Sequence, residues 1–246
     1  AAEWVISLFM LLASINFSLY YELLTGNAKP LVRDGELRLF ITIVVISILF
    51  VTVNIRGLYE SMGEALQDAV FHVLSIASTS GFVAADYHRW PEFSRTIIFF
   101  LTFLGACAGS TGGGVKHIRL LIVLKYVRRT LYRLIHPQAV IPLRVNGRSV
   151  SEEVVQNVSG FLMVYGLLFV SFTLILLTQN MDLISSSSAV ATALSNVGPG
   201  FGVVGPNTNF ASLTDLSKLL LSAAMILGRL EIFTILVLLV PAFWRR

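Results

Sequence analysis

The chain has 246 residues, of which 55% are hydrophobic and 13% charged, with a formal net charge of +4 and a single cysteine. So apolar a composition excludes an ordinary soluble domain of this length. One cysteine, Cys107, excludes an internal disulfide and any cysteine-rich metal site. The positive charge does not point to nucleic acid, because it is gathered between apolar runs. Lys29, Arg33 and Arg38 form one group, Lys116, Arg119, Lys125, Arg128, Arg129, Arg133, Arg144 and Arg148 a second, and Arg245 with Arg246 a third. Spanning helices would place all three on one side, the cytoplasmic one by the positive-inside rule.

Residues 5–21 are predicted to end a membrane helix, with Ser14 and Asn16 as mild polar marks of bundle packing. Asn27 and Pro30 break it ahead of the basic loop 29–38. Residues 39–55 then cross outward; an uncharged run of this kind is helical, since only helices and closed barrels cross lipid. Residues 61–77 differ. Ser61 and Glu64 have capping-box spacing, but about 14 helical residues reach only about 21 Å. Glu64, Gln67, Asp68 and His72 make the segment too polar to span. A surface amphipathic helix is the plainer alternative. Small and polar residues follow at once, however, so the segment reads as re-entrant, tolerated only where its backbone lines protein or water.

The next crossing, 94–124, is interrupted at 105–114, where three consecutive glycines argue for an unwound loop. Helix packing through small residues is the alternative, and it needs spaced glycines rather than a run. A basic helix follows over 117–135, and a loop over 136–152. The pattern then recurs: 154–181 crosses outward, 182–194 is a second re-entrant segment, 196–202 a second glycine turn, and 219–243 crosses inward to Arg245 and Arg246. The expected fold is an all-α membrane protein built of parallel helix–pore helix–helix repeats. The chain lacks an initiator Met and opens close to an apolar run, so it reads as the C-terminal part of something longer.

At an offset of 117 residues Val73 meets Val190, Ser78 meets Ser195, and Gly81 meets Gly198. Each short helix would point its C-terminal dipole at its turn. Carbonyls of Ser78, Thr79, Ser80 and Gly81, and of Ser195, Asn196, Val197 and Gly198, would then replace the hydration shell of a monovalent cation. The absence of charged side chains there argues against a Ca²⁺ or Mg²⁺ site. Gly200-Phe201-Gly202 is a competing filter, but only Asn196-Val197-Gly198 sits at the repeat offset. A closed filter needs about four walls, and two are present.

Ser78-Thr79-Ser80-Gly81-Phe82, Gly109-Ser110-Thr111-Gly112-Gly113-Gly114-Val115-Lys116, Ser195-Asn196-Val197-Gly198-Pro199-Gly200 and Leu227-Gly228-Arg229-Leu230-Glu231 together resemble the bacterial TrkH family of potassium-uptake proteins. The resemblance implies four repeats around one K⁺ pathway in a bacterial inner membrane. Residues 1–28 would end the second repeat, 29–150 form the third and 151–246 the fourth. It implies that Thr79, Ser80, Gly81 and Asn196, Val197, Gly198 are filter positions binding K⁺. The loop Gly109, Ser110, Thr111, Gly112, Gly113, Gly114 to Lys116 would be an intramembrane gate. It further implies a cytosolic ring of nucleotide-binding TrkA subunits, and a homodimer is the expected assembly. Asn196 and Pro199 depart from the Thr/Ser-rich pattern, so the ring would be chemically asymmetric.

Arg229 falls within the last apolar run, where a cation costs at least about 2.5 kcal/mol and marks a functional candidate. By the repeat offset it lies level with Gly112. It is expected to donate to loop carbonyls and repel cations when the gate is shut; an ion pair with a carboxylate elsewhere is the alternative. Glu231 lies on nearly the opposite helix face and is a poor partner. A phosphate loop is rejected, because Val115 stands where a Walker lysine must be. His72, His88, His117 and His136 have no ligand spacing and read as packing or solvation. No catalytic constellation stands out, so no enzyme is expected. A proton- or sodium-coupled symporter stays open beside a channel-like pore. The basic segments 119–133 and 144–148 suit anionic lipid or the regulatory ring.

Overall fold

The computed structural model describes residues 2–139, 141–238 and 240–244. Its first apolar run is not one helix, contrary to the sequence expectation for 5–21. Helices α1 (Ala2–Ala13) and α2 (Phe17–Leu24) meet at 92°. The polar residues between them cause the break. Ser14 Oγ donates back to Met10 O at 2.7 Å, and the Asn16 side chain accepts from Ser18 N as the N-cap of α2. Such side chains offer the backbone an alternative to the helical ladder.

After the short α3 (Lys29–Arg33), Asp34 caps α4 (Gly35–Ile55) by accepting from Leu37 N at 2.7 Å. With the 3₁₀ turn that follows, the helical stretch covers Gly35–Leu58, 24 residues. At 1.5 Å per residue it reaches about 36 Å, longer than the hydrocarbon core. Helix α5 (Met62–Ala77) starts at Ser61, whose Oγ accepts from Glu64 N at 3.1 Å. It packs against α1 and α4, and every residue from Phe71 to Ala77 is buried. It is therefore no surface helix. Helices α6 (Glu92–Leu104) and α7 (His117–Ile135) flank an unwound stretch.

The segment 136–152 holds a hairpin that the sequence analysis reads only as loop. Strands β1 (Arg144–Val145) and β2 (Arg148–Ser149) pair antiparallel through Asn146 and Gly147, both at positive φ, as a two-residue turn requires. Asn146 Nδ2 donates to Asp34 Oδ2 at 2.5 Å, its Oδ1 accepts from Gly35 N at 2.8 Å, and Lys125 Nζ donates to Arg144 O at 2.7 Å. These bonds bring basic residues of 29–38, α7 and the hairpin to one end of the bundle.

Helix α8 (Glu152–Leu177) is a second helix of membrane length. Helix α9 (Leu183–Ser195), capped by Asp182, is buried along nearly its whole length between α8 and α10 (Asp215–Arg229), and it also meets α6. The last run is also broken, correcting the single crossing expected over 219–243. Helices α10 and α11 (Ile232–Leu238) meet at 110°. Leu230 N closes onto Ile226 O, and Glu231 takes φ +64°, which sends its carboxylate to Arg119. Arg229 thus sits in the final turn of α10, not in mid-helix. Arg245 and Arg246 lie outside the described residues. Val45, Leu49, Phe50 and Val53 on α4, and Met163, Leu167 and Leu174 on α8, are exposed. Such a face suits lipid or further protein rather than water.

Candidate functional site

Helices α5 and α9 both end inside the bundle, and their ends unwind alike. Thr79 N donates to Ile76 O at 3.0 Å and Ser80 N to Ser75 O at 3.0 Å. At positions 117 residues further on, Asn196 N donates to Ala193 O at 3.2 Å and Val197 N to Thr192 O at 3.0 Å. Thr79 and Asn196 both take the left-handed conformation, at φ +58° and +56°. Neither has the freedom of glycine, so their surroundings must hold them there.

The hydrogen bonds separate two kinds of carbonyl. Among the described residues, no protein donor reaches the carbonyl oxygens of Ser78–Gly81 or Ser195–Gly198. Those of Phe82, Gly200 and Phe201 are engaged. Ser75 Oγ donates to Phe82 O at 2.6 Å, Tyr87 Oη to Gly200 O at 3.2 Å, and Ser188 Oγ to Phe201 O at 3.1 Å. Gly200-Phe201-Gly202, the competing filter, therefore lies behind the turn, with the Phe201 ring buried against Tyr87. The two turns touch: a Cβ on Gly81, at φ +71°, would fall on Val197 O.

Further polar groups fix the turns from behind. Thr192 Oγ1 accepts from Gly198 N at 2.9 Å, and Ser185 Oγ accepts from Val203 N at 3.0 Å. His72, fully buried, does the same in the other half. Its Nδ1 donates to Asp68 O at 2.8 Å, leaving Nε2 to accept from Ala84 N and Ala85 N at 3.3 and 3.1 Å. Its sequence reading as packing missed this role, because the partners lie twelve and thirteen residues away. Replacing His72 with Phe is expected to leave two part-buried amides without their acceptor, a loss of about 1 kcal/mol or more. Thermal unfolding of the full-length protein in detergent should show a clear drop in midpoint; an unchanged midpoint would deny His72 this part.

Beneath the turns lies the loop between α6 and α7. Gly113 N donates to Thr79 Oγ1 at 2.8 Å, and a Cβ on Gly113 would fall on Ser195 O. The loop thus touches the end of each turn. Gly113→Ala is expected to push it away, seen as raised protease sensitivity around 105–116; unaltered cleavage would contradict this close contact. Cations occupy the loop's outward carbonyls. Lys116 Nζ donates to Gly112 O, Arg229 Nη1 to Thr111 O at 3.3 Å, and Arg119 Nη1 to Val115 O at 3.3 Å. Arg119 also pairs with Glu231. A cavity of about 260 Å³ opens here, lined by Ser110, Thr111, Gly112, Gly113, Gly114, Lys116, Arg119, Phe161, Gly228, Arg229 and Glu231. Its lining holds three cations and one carboxylate.

Two anchors of the loop escaped the sequence reading. One is the break between α1 and α2: Cys107 N donates to Ser14 O at 3.0 Å, Thr111 N to Ala13 O at 3.4 Å, and Phe17 N to Gly109 O at 3.1 Å. The other is Glu36, whose carboxylate accepts from Ala108 N and Ile118 N. No cluster of three His, Cys, Asp or Glu side chains able to hold a metal occurs among the described residues.

Membrane-length apolar helices around two buried half-length ones define the class: an all-α membrane protein. Residues 1–246 match the family described as "TrkH: Cation transport protein", and the chain belongs to that family. It is 39% identical over 246 residues to the Trk system potassium uptake protein TrkH of Escherichia coli K12, with 98% of this chain and 50% of the relative covered. With the TrkH of Vibrio parahaemolyticus identity is 40% over 250 residues, covering 100% and 51%. The crystal structure of the potassium transporter TrkH from Vibrio parahaemolyticus superposes with a TM-score of 0.90 at 38% identity, covering 98% of this chain and 52% of that one. The chain therefore spans about half the length of these relatives. They are named as transporters, not enzymes.

Proposed function

We propose that this chain supplies part of a K⁺-selective uptake pore in a bacterial inner membrane, as the third and fourth of four parallel helix–pore helix–helix repeats. The observation that carries this is the set of carbonyls at Ser78–Gly81 and Ser195–Gly198 that no protein donor reaches among the described residues, while Phe82, Gly200 and Phe201 nearby are engaged. Inward-facing oxygens of this kind substitute for an ion's water without charged side chains. The remaining walls come from the other half of the molecule, since the relatives are about twice as long.

In this reading the loop from Gly109 to Lys116 blocks the route below the filter. Its Thr111 and Gly112 carbonyls, which would otherwise attract a cation, are satisfied by Arg229 and Lys116. Opening requires the loop and these two cations to part. The basic end of the bundle meets anionic lipid or a cytosolic nucleotide-binding ring of the TrkA kind, and the whole protein pairs as a homodimer. Pull-down of such a ring with the cations of 116–150 neutralised tests that contact; undiminished capture would reject it.

Coupled symport needs a titratable or Na⁺-binding side chain on the route. The two turns carry no charged side chain, and the cavity's Glu231 is already paired with Arg119. A pore is therefore the better reading. Currents through the full-length protein in planar bilayers should reverse at the K⁺ Nernst potential whatever the pH or Na⁺ gradient; a reversal that follows either would return the symporter.

A further inference from the structure

We infer that Glu36 is a positioning residue that staples the 109–116 loop across the pathway; this rests on the gate reading of that loop. Glu36 belongs to the first turn of α4 and is 4% exposed. One oxygen, Oε1, accepts from Ala108 N at 2.6 Å and from Ile118 N at 2.9 Å. Those two amides flank the loop on either side. A single acceptor therefore ties its two ends together, and the ends cannot separate while both bonds stand.

The need for this acceptor arises in α7 itself. The first amides of any helix lack intrahelical partners. At the start of α7 the N-cap position is Lys116, at φ +71°, which makes no side-chain cap. A lysine has no acceptor to offer. Glu36 serves from another helix instead, and its negative charge suits the positive end of the α7 dipole. Bonds to an ionised acceptor are about twice as strong as neutral ones, and burial keeps water from replacing them. Two residues before Glu36, Asp34 receives the hairpin through Asn146. A displacement of the hairpin at the basic end therefore has a short covalent route to the staple.

The test uses the full-length transporter in proteoliposomes without any regulatory partner, reading K⁺ flux together with amide exchange over 105–118. Glu36→Gln keeps an oxygen at the Oε1 position but loses the charge, and should fall between the parent and Glu36→Ala in both readouts. Glu36→Ala removes the acceptor and Glu36→Asp withdraws it by one methylene. Both should speed exchange at 108 and 118 and raise flux by about ten-fold or more, since two charge-assisted bonds are weakened or lost. The aspartate variant keeps the charge and covers the case in which the alanine variant fails to fold. Unchanged exchange in the aspartate variant would overturn the staple. So would faster exchange without a rise in flux, if Arg229→Ala raises flux in the same preparation. Should neither Arg229→Ala nor the Glu36 variants alter flux although exchange quickens, the gate reading fails while the amide contacts of Glu36 stand. A glutamine variant as leaky as alanine would also reject it, since the acceptor alone would then not suffice.

Discussion

Arg229→Ala is expected to raise K⁺ flux through the shut transporter by about ten-fold or more. A unit charge about 5 Å from a passing cation opposes it by about 3 kcal/mol at the dielectric typical of partly wet protein. That figure is an upper bound here. The Arg229 side chain faces an open cavity, and Lys116 remains to hold Gly112 O. What is lost is one repelling charge and the bond to Thr111 O at 3.3 Å, so the freed carbonyl becomes available to the ion. Arg229→Lys keeps the charge but not the planar fork, and should fall between parent and alanine. Flux measured in vesicles at matched protein density decides the matter. An alanine variant that reaches the membrane and conducts no better than the parent removes Arg229 from the gate.

Gly81→Ala is expected to damage ion discrimination. Its backbone lies at φ +71°, where an L side chain is strained by about 1 kcal/mol or more. The added carbon would also meet Val197 O and approach Pro199 Cδ to 3.0 Å. The two turns must then move apart, and in the proposed filter the carbonyls standing in for a hydration shell would lose their fit. The K⁺ over Na⁺ permeability ratio under bi-ionic conditions should fall by about an order of magnitude, a loss of about 1.4 kcal/mol of preference. Gly57→Ala is the control, since its Cβ would meet nothing within 4 Å. A Gly81→Ala protein with intact preference would remove this turn from the selecting surface.

Much of the scaffold was readable in the amino acids, for local reasons. The cap of α5 at Ser61 was legible because Glu64 follows at a fixed spacing, and the bounds of α7 because a glycine run precedes it and Pro137 follows it. The positions where α5 and α9 stop were legible from small polar residues and glycine. The two elbows were not. An apolar average over 5–21 or 219–243 does not register a single cap such as Asn16, or one residue at positive φ such as Glu231. Asn146-Gly147 did carry a turn signal, but strands of two residues give no alternation to accompany it. Glu36 and His72 were missed for a different reason. A carboxylate in a first helical turn and a histidine in an apolar helix look ordinary, and only distant amides reveal their work.

The hydroxyl of Thr79 takes its hydrogen bond from Gly113. In the proposed reading sorting and admission share that atom, and a lineage adapting toward faster potassium supply would find its fidelity against sodium changing at the same time. Substitutions at 79 and 113 should then accumulate as matched sets.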